Sequence, residues 1–318
     1  MVSINDIKEA HKRISGYIHK TPILSSKTIN ELTGSDILFK CESLQKTGSF
    51  KIRGATNTVK QLSKTDLLNG IVTVSSGNHG AALSIAGANE EAPVTVIMPS
   101  NTSKVKIENV KRSGGNIVWC EPTQESREET LKNIVNKTEA IIVHPYNDKR
   151  IIAGQGTVGI EIVRDYPDVD AIIAPVSGGG LLSGTLISAK CTSPKIKVYG
   201  AEPIEADDTY KSLNKGMIVS NKTTNTICDG LRAQVGSITF PIIQQFIDDV
   251  LVVTESDIVN AMRLIWDVMK IIVEPSSAIA LSAVISNSHL FKGKKVAIIL
   301  SGGNVDLDAL PWKNEDYA

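Results

Sequence analysis

The stretch CESLQKTGSFKIRGA, residues 41–55, sets Lys51 directly after Phe50 and ahead of Arg-Gly-Ala. A lysine amine is a solvated cation until burial or a neighbouring charge tunes it, and then it becomes a nucleophile toward carbonyl carbons. In a chain with 34 Lys plus Arg, position alone does not set Lys51 apart from the surface lysines. Three glycine-bearing turns supply context. SSGNHG (75–80), SGGGLLSG (177–184) and SGGN (301–304) each follow a β-branched run. Ligands of parallel α/β sheets bind there, beyond the carboxyl ends of strands. SGGGLLSG leaves side-chain-free amides at a helix start, which can cradle a phosphate. Each turn alone is weak evidence, because glycine also punctuates ordinary strand-to-helix connections.

Competing chemistries leave no trace. SGGGLLSG lacks the G-x-G-x-x-G spacing of a dinucleotide site, and no Walker lysine follows it. The five histidines show no H-E-x-x-H spacing, which excludes the usual zinc hydrolase pattern. Cys41, Cys120, Cys191 and Cys228 lie far apart with no C-x-x-C pair, as expected of free thiols in a reducing compartment. Lys51, a phosphate loop and further turns at strand ends together fit a cofactor with an aldehyde, a phosphate and an electron-withdrawing ring. Pyridoxal phosphate has all three.

The elements that must position these residues are legible in outline. SINDIKEAHKRI places Ile4, Ile7, Ala10 and Ile14 near one helical face, with Ser3 as N-cap and Asp6 in the first turn. GIVTVS, PVTVIMP, NIVWC and AIIVHP alternate with the helical stretches HGAALSIAGA and SREETLKNIVNK, the pattern of a parallel sheet. VDAIIAPV, KVYGAEP and KVAIILSGG form a second series of buried strands, with helices over GQGTVGIEIVRDY and ESDIVNAMRLIWDVMK. We therefore expect two α/β layers: a large cofactor-binding domain from residues 1–71 and 149–318, and a small domain from 72–148. The 34 basic residues balance 34 acidic ones and aromatics make up only 4%, so no nucleic-acid footprint is present. Asp6 and Glu9 interrupt the N-terminus and no apolar run approaches the length of a membrane span. The expectation is a cytoplasmic protein without signal peptide or membrane partner.

In order, SFKIRGA, SSGNHG, SGGGLLSG, AEP with ADD, EPSSA and SGGNVD resemble the serine racemase and serine/threonine dehydratase family of fold-type II pyridoxal phosphate enzymes, over nearly the whole chain. The resemblance implies an α/β fold of the tryptophan synthase β type, with two open parallel-sheet domains, and a homodimer. It assigns the covalent cofactor link to Lys51, lays Phe50 against the pyridine ring, and gives the phosphate to Ser177, Gly178, Gly179, Gly180 and Leu181. The ring hydroxyl falls to Asn78 and the ring nitrogen to Ser301. Substrate contacts fall to Ser75, Ser76, Asn78 and His79. Ser177 stands where the family often has glycine.

The same resemblance implies chemistry. Lys51 removes the Cα proton of an amino acid on one face. Ser76, in the position where many biosynthetic threonine dehydratases carry alanine, returns a proton on the other. Read without the family, Ser76 is a loop hydroxyl that caps the next helix. Arg127, in ESREE, corresponds to a racemase arginine near the substrate, which suits serine or 3-hydroxyaspartate better than threonine; on composition it is a solvated charge on an acidic helix. Glu202, Asp208 and the carbonyl of Ala206 correspond to a divalent cation site, and their hard oxygens suit Mg²⁺, Ca²⁺ or Mn²⁺. Lys46, Thr47 and Asn304 lie in segments matching the nucleotide site of animal racemases, which leaves room for ATP as an activator. The chain stops soon after SGGNVD, so no C-terminal regulatory domain is expected. A serine racemase with accompanying β-elimination is the first reading. A serine/threonine or 3-hydroxyaspartate dehydratase is the second, and a non-catalytic cofactor-binding protein the third. A replacement synthase is disfavoured, because its loop typically ends Asn-Thr-Gly where this one reads Asn-His-Gly.

Overall fold

The computed structural model describes residues 1–75 and 77–313; Ser76 lies outside them. Among the described residues ten strands form two sheets. The larger has the order β1-β2-β10-β7-β8-β9, made by Ile23–Leu24, Asp36–Cys41, Lys295–Leu300, Ala171–Pro175, Lys197–Pro203 and Asp249–Val253. It is parallel except for β1, which runs antiparallel to β2. The smaller has the order β5-β4-β3-β6, all parallel, from Asn116–Cys120, Val94–Pro99, Ile71–Val74 and Ile141–Ile142.

Both faces of the larger sheet are covered, so its strands are continuous apolar runs. Successive side chains point to opposite faces. Ile37 and Phe39 of β2, Ala171 and Ile173 of β7, and Val296, Ile298 and Leu300 of β10 share one core with the helix Pro275–Ser286. Leu38, Ile172, Ala174, Ala297 and Ile299 share the other, with Val158 and Ile162 of the helix Lys149–Asp165. Each large aliphatic side chain buried there contributes about 1.5–3 kcal/mol.

The helix Lys51–Val59 serves both sheets. Ile52, Ala55 and Val59 join Val94, Val96 and Met98 of β4 in one cluster, while its other side meets the helix Lys149–Asp165 at backbone distance. A Cβ on Gly154 would fall 2.6 Å from both Arg53 O and Gly54 Cα. One on Gly184 would fall 2.4 Å from Gly156 N. Glycine in KIRGA, AGQGT and LLSG thus sets how tightly three helices stack.

The helix read from SINDIKEAHKRI spans Ile4–Ile14 and is closed by a Ser3–Asp6 capping box. Seven strands expected from β-branched runs are present at β3 to β8 and β10. Three were not read. β1 has two residues, β2 carries Asp36 and Lys40 within DILFKC, and β9 follows a helix without a glycine break. No helix among the described residues is long and apolar enough to cross a membrane.

Candidate active site

Lys51 is the first residue of its helix, and backbone pairing puts it beside the end of β10. Phe50 N–H donates to Ser301 O at 3.1 Å, Gly303 N–H donates to Gly48 O at 2.9 Å, and Ser49 bridges Gly302. The turn before it takes the left-handed region at Thr47 and Gly48. A Cβ on Gly48 would also fall 2.6 Å from Asn304 Oδ1, so only glycine fits. From this anchor the Lys51 amine reaches a cavity of about 540 Å³ between the two sheets. It donates to Pro145 O at 3.2 Å and stands 5.2 Å from the centre of the Phe50 ring. Burial pulls it down to about 8, against the opposing pull of the Glu274 carboxylate.

Opposite stands the turn after β7. Ser177, Gly178, Gly179, Gly180 and Leu181 all line the cavity, and the helix Gly180–Thr192 starts there with its free N–H groups. Gly179 has φ of 87°. The loop is pinned from behind. Ser177 Oγ donates to Ala233 O and accepts from Ala233 N–H, both at 3.2 Å, and Thr239 Oγ1 donates to Gly178 O at 2.6 Å. In front, a Cβ on Gly178 would fall 2.2 Å from the Tyr146 ring carbons. The cradle has no room for a side chain. Gly178→Ala is therefore expected to weaken pyridoxal phosphate binding by about tenfold or more, read by titrating the visible absorbance of the bound cofactor. An unchanged affinity would remove this loop from the phosphate site.

The third wall is the turn after β3. Ser75 Oγ accepts from Gly80 N–H at 3.0 Å and from Gly77 N–H at 3.3 Å. Asn78 Nδ2 donates to Glu274 Oε1 at 2.9 Å, and Asn78 Oδ1 accepts from Asn304 Nδ2 at 2.9 Å. Asn304 Nδ2 also donates to Thr47 O at 2.7 Å, so the turn carrying Lys46 and Thr47 is tied to Asn78. Burial pushes Glu274 up to about 8, helped by the Asp229 charge. Burial, with the Lys51 charge second, pulls His79 down to about 3, so its imidazole is neutral at pH 7. Ser301 is buried at the cavity wall, its hydroxyl 3.4 Å from Ser276 O.

Lys51, Phe50, Ser75, Asn78, His79, Arg127, the glycine loop and Ser301 are thus gathered around one cavity. Arg127 lines the cavity, with its Nε shielded from solvent and without a protein hydrogen-bond partner, where composition alone makes it a solvated charge. Ser76 lies outside the described residues between two of them. Among the lining groups that escaped sequence reading are Tyr146, Glu274 and the Lys106–Asp229 ion pair, which joins the helix Lys104–Arg112 to the turn Asp229–Leu231. Glu274 opens the EPSSA motif, a signal that could have found it. For the others no local signal exists.

Glu202 and Asp208 do not line this cavity. They sit together at the end of β8. Glu202 accepts from Thr209 N–H and Tyr210 N–H at 3.1 and 2.9 Å, and Asp208 from Val235 N–H and Asn221 Nδ2 at 2.8 and 3.0 Å. Burial, with Asp208 alongside, pushes Glu202 up to about 8, and burial pushes Asp208 up to about 6. No cluster of three or more His, Cys, Asp or Glu able to hold a metal occurs among the described residues. A cation here would rest on two carboxylates and oxygens of other kinds, as in the set with Ala206. Every carboxylate oxygen keeps a lone pair beyond its hydrogen bond, and the two neighbouring carboxyls disfavour each other's charge, so the donors fit a hard divalent ion that would relieve it.

Residues 14–302 match the family described as pyridoxal-phosphate dependent enzyme. The chain belongs to that family. Among relatives of this pyridoxal-phosphate dependent enzyme, a serine racemase of Dictyostelium discoideum is 50% identical over 313 residues, 97% of each chain. A β-hydroxyaspartate dehydratase of Paracoccus denitrificans is 43% identical over 307 residues, 96% of this chain and 98% of the other. The structure of maize serine racemase superposes with a TM-score of 0.95 at 44% identity, over 98% of this chain and 96% of that one. The fold-type II architecture expected from the motifs is thus the architecture of the enzyme.

Proposed function

We propose that this enzyme is a serine racemase that interconverts L- and D-serine and also converts serine to pyruvate and ammonia by β-elimination. The supporting observation is that one cavity brings Lys51, the 177–181 loop, Asn78 and Ser301 together, in a chain about half identical to a serine racemase. Pyridoxal phosphate bound there supplies an aldehyde that condenses with amines and a ring that takes up the electron pair left when a Cα proton departs. Phe50 would lie against the ring, the loop amides of Gly178 to Gly180 would hold the phosphate, and Asn78 and Ser301 would meet the ring hydroxyl and the ring nitrogen. A serine hydroxyl does not hold that nitrogen protonated as a carboxylate would, which favours outcomes that discharge the carbanion quickly.

Lys51 Nζ takes the Cα proton on one face and Ser76 Oγ returns one on the other. Ser75, Asn78 and neutral His79 hold the substrate without adding charge. The place of Arg127 on the cavity wall supports a second reading, 3-hydroxyaspartate dehydratase, since a guanidinium pairs well with a distal carboxylate. One assay separates the readings. Purified enzyme is given L-serine, and D-serine and pyruvate are scored together. Pyruvate without D-serine leaves a dehydratase, and neither product leaves a protein that binds the cofactor without turnover.

The proposal extends to a cytoplasmic homodimer, to a divalent cation on Glu202, Asp208 and the Ala206 carbonyl, and to ATP activating near Lys46, Thr47 and Asn304. Asp208 also accepts from Val235 N–H, one residue before Gly236, whose N–H points to Gly178 O at 3.3 Å. A cation at Asp208 would thereby steady the phosphate loop. Chelation is expected to lower the thermal midpoint by several degrees and activity by about tenfold, both restored by Mg²⁺. Asp208→Ala should show the low values and no response to Mg²⁺; wild-type behaviour in that variant would end the metal assignment.

A further inference from the structure

Two residues after Lys51, in the same first helical turn, Arg53 is completely buried. All five of its N–H donors are used. Nε and Nη2 donate to Glu42 at 2.7 and 2.8 Å, Nη1 and Nη2 donate to Glu161 at 2.7 and 2.9 Å, and Nη1 also donates to Thr157 Oγ1 at 3.1 Å. Around this fork, Lys40 Nζ donates to Glu161 Oε2 at 2.5 Å and to Thr21 O at 2.8 Å, while Thr21 Oγ1 donates to Glu42 Oε1 at 2.5 Å. Two bases and two acids thus balance in a closed, solvent-free cluster.

Its location gives it a purpose. Lys40 is in β2 and Glu42 directly follows it, and Glu161 and Thr157 are on the helix Lys149–Asp165. The helix that Lys51 opens also packs Ile52, Ala55 and Val59 onto the smaller sheet. A helix shared between two sheets can follow either one. The Arg53 fork holds its first turn to the larger sheet, which also carries the loop after β7 and Ser301 at the end of β10. An apolar plug would pack this space at least as stably, since a buried ion network often gains nothing over well-packed hydrophobes. What an apolar plug lacks is a bidentate geometry that fixes one angle and one depth.

We propose that Arg53 is a positioning residue: its double fork to Glu42 and Glu161 sets the Lys51 amine against the cofactor contacts of the larger sheet, independently of the smaller one. This rests on the reading of Lys51 as the cofactor lysine and proton acceptor. The test is Arg53→Lys, which keeps the charge and loses the fork, studied as holoenzyme well below its melting temperature. Borohydride reduction and peptide mapping locate the cofactor, while kcat, KM for L-serine and visible circular dichroism are measured per cofactor-bearing protein. The expected result is a link still at Lys51, an altered visible dichroism, KM within about threefold and kcat lowered by about tenfold or more. Wild-type kcat and dichroism with only a lowered thermal midpoint would make the cluster a stabiliser and overturn the proposal. If Arg53→Lys does not fold, Thr157→Val removes a single acceptor of the fork. A kcat lowered at least about threefold at unchanged KM then supports positioning, and an unchanged kcat overturns it. A reducible link at another lysine in the wild type would overturn the Lys51 reading and this proposal with it, whereas a link at Lys51 with wild-type kcat in the variants overturns this proposal alone.

Discussion

Lys51→Ala is expected to abolish the borohydride-reducible link to pyridoxal phosphate and to lower turnover of L-serine by about 10⁴-fold or more, since one change removes both the covalent anchor and the proton acceptor. The glycine loop and Ser301 remain, so the variant should still bind the cofactor non-covalently. The wild type offers a second readout of the same residue. Burial holds the Lys51 amine at about 8 in place of the ordinary 10.5. Below that pH the amine is protonated and inert, and above it the free base attacks. The rate at which cofactor-free protein takes up pyridoxal phosphate should rise with pH to about 8 and then level, where a solvated lysine would keep gaining toward pH 10. A reducible link at some other lysine, or a rate still climbing at pH 10, would count against the assignment.

Ser76→Ala is expected to separate racemisation from elimination. A single base at Lys51 can serve only one face of the planar carbanion, so exchange of enantiomers requires a second proton carrier. Removing the hydroxyl should lower D-serine formation from L-serine, and pyruvate formation from D-serine, by about 10³-fold. Pyruvate formation from L-serine should stay within about twofold, because Lys51 alone takes that proton. The measurement is release of pyruvate and of each enantiomer from both isomers, by wild type and variant. Undiminished racemisation would refute the two-base scheme.

Local chemistry was readable from the chain because it is written in residue types at fixed short spacings. A lysine after an aromatic, three glycine turns at strand ends, and β-branched runs alternating with amphipathic stretches are all local patterns, and they carried the cofactor class, the α/β architecture and part of the cavity lining. The resemblance of six ordered motifs then narrowed the activity. Groups that act through space had no such signature. DILFKC carries two charges and does not read as a buried strand, yet β2 is a buried strand of the larger sheet, with Lys40 neutralised by Glu161, 121 positions away. Arg127 reads as a solvated charge until the fold places it on the cavity wall with its Nε shielded from water. Tyr146 reaches the site in the turn after β6, and Glu274 as N-cap of the helix Pro275–Ser286, where its N–H donates to Gly302 O beyond the end of β10. Burial is a property of the assembled molecule. The lowered basicity of Lys51, the neutrality of His79 and the raised Glu274 follow from desolvation between two sheets, and no spacing along the chain encodes how far water is excluded.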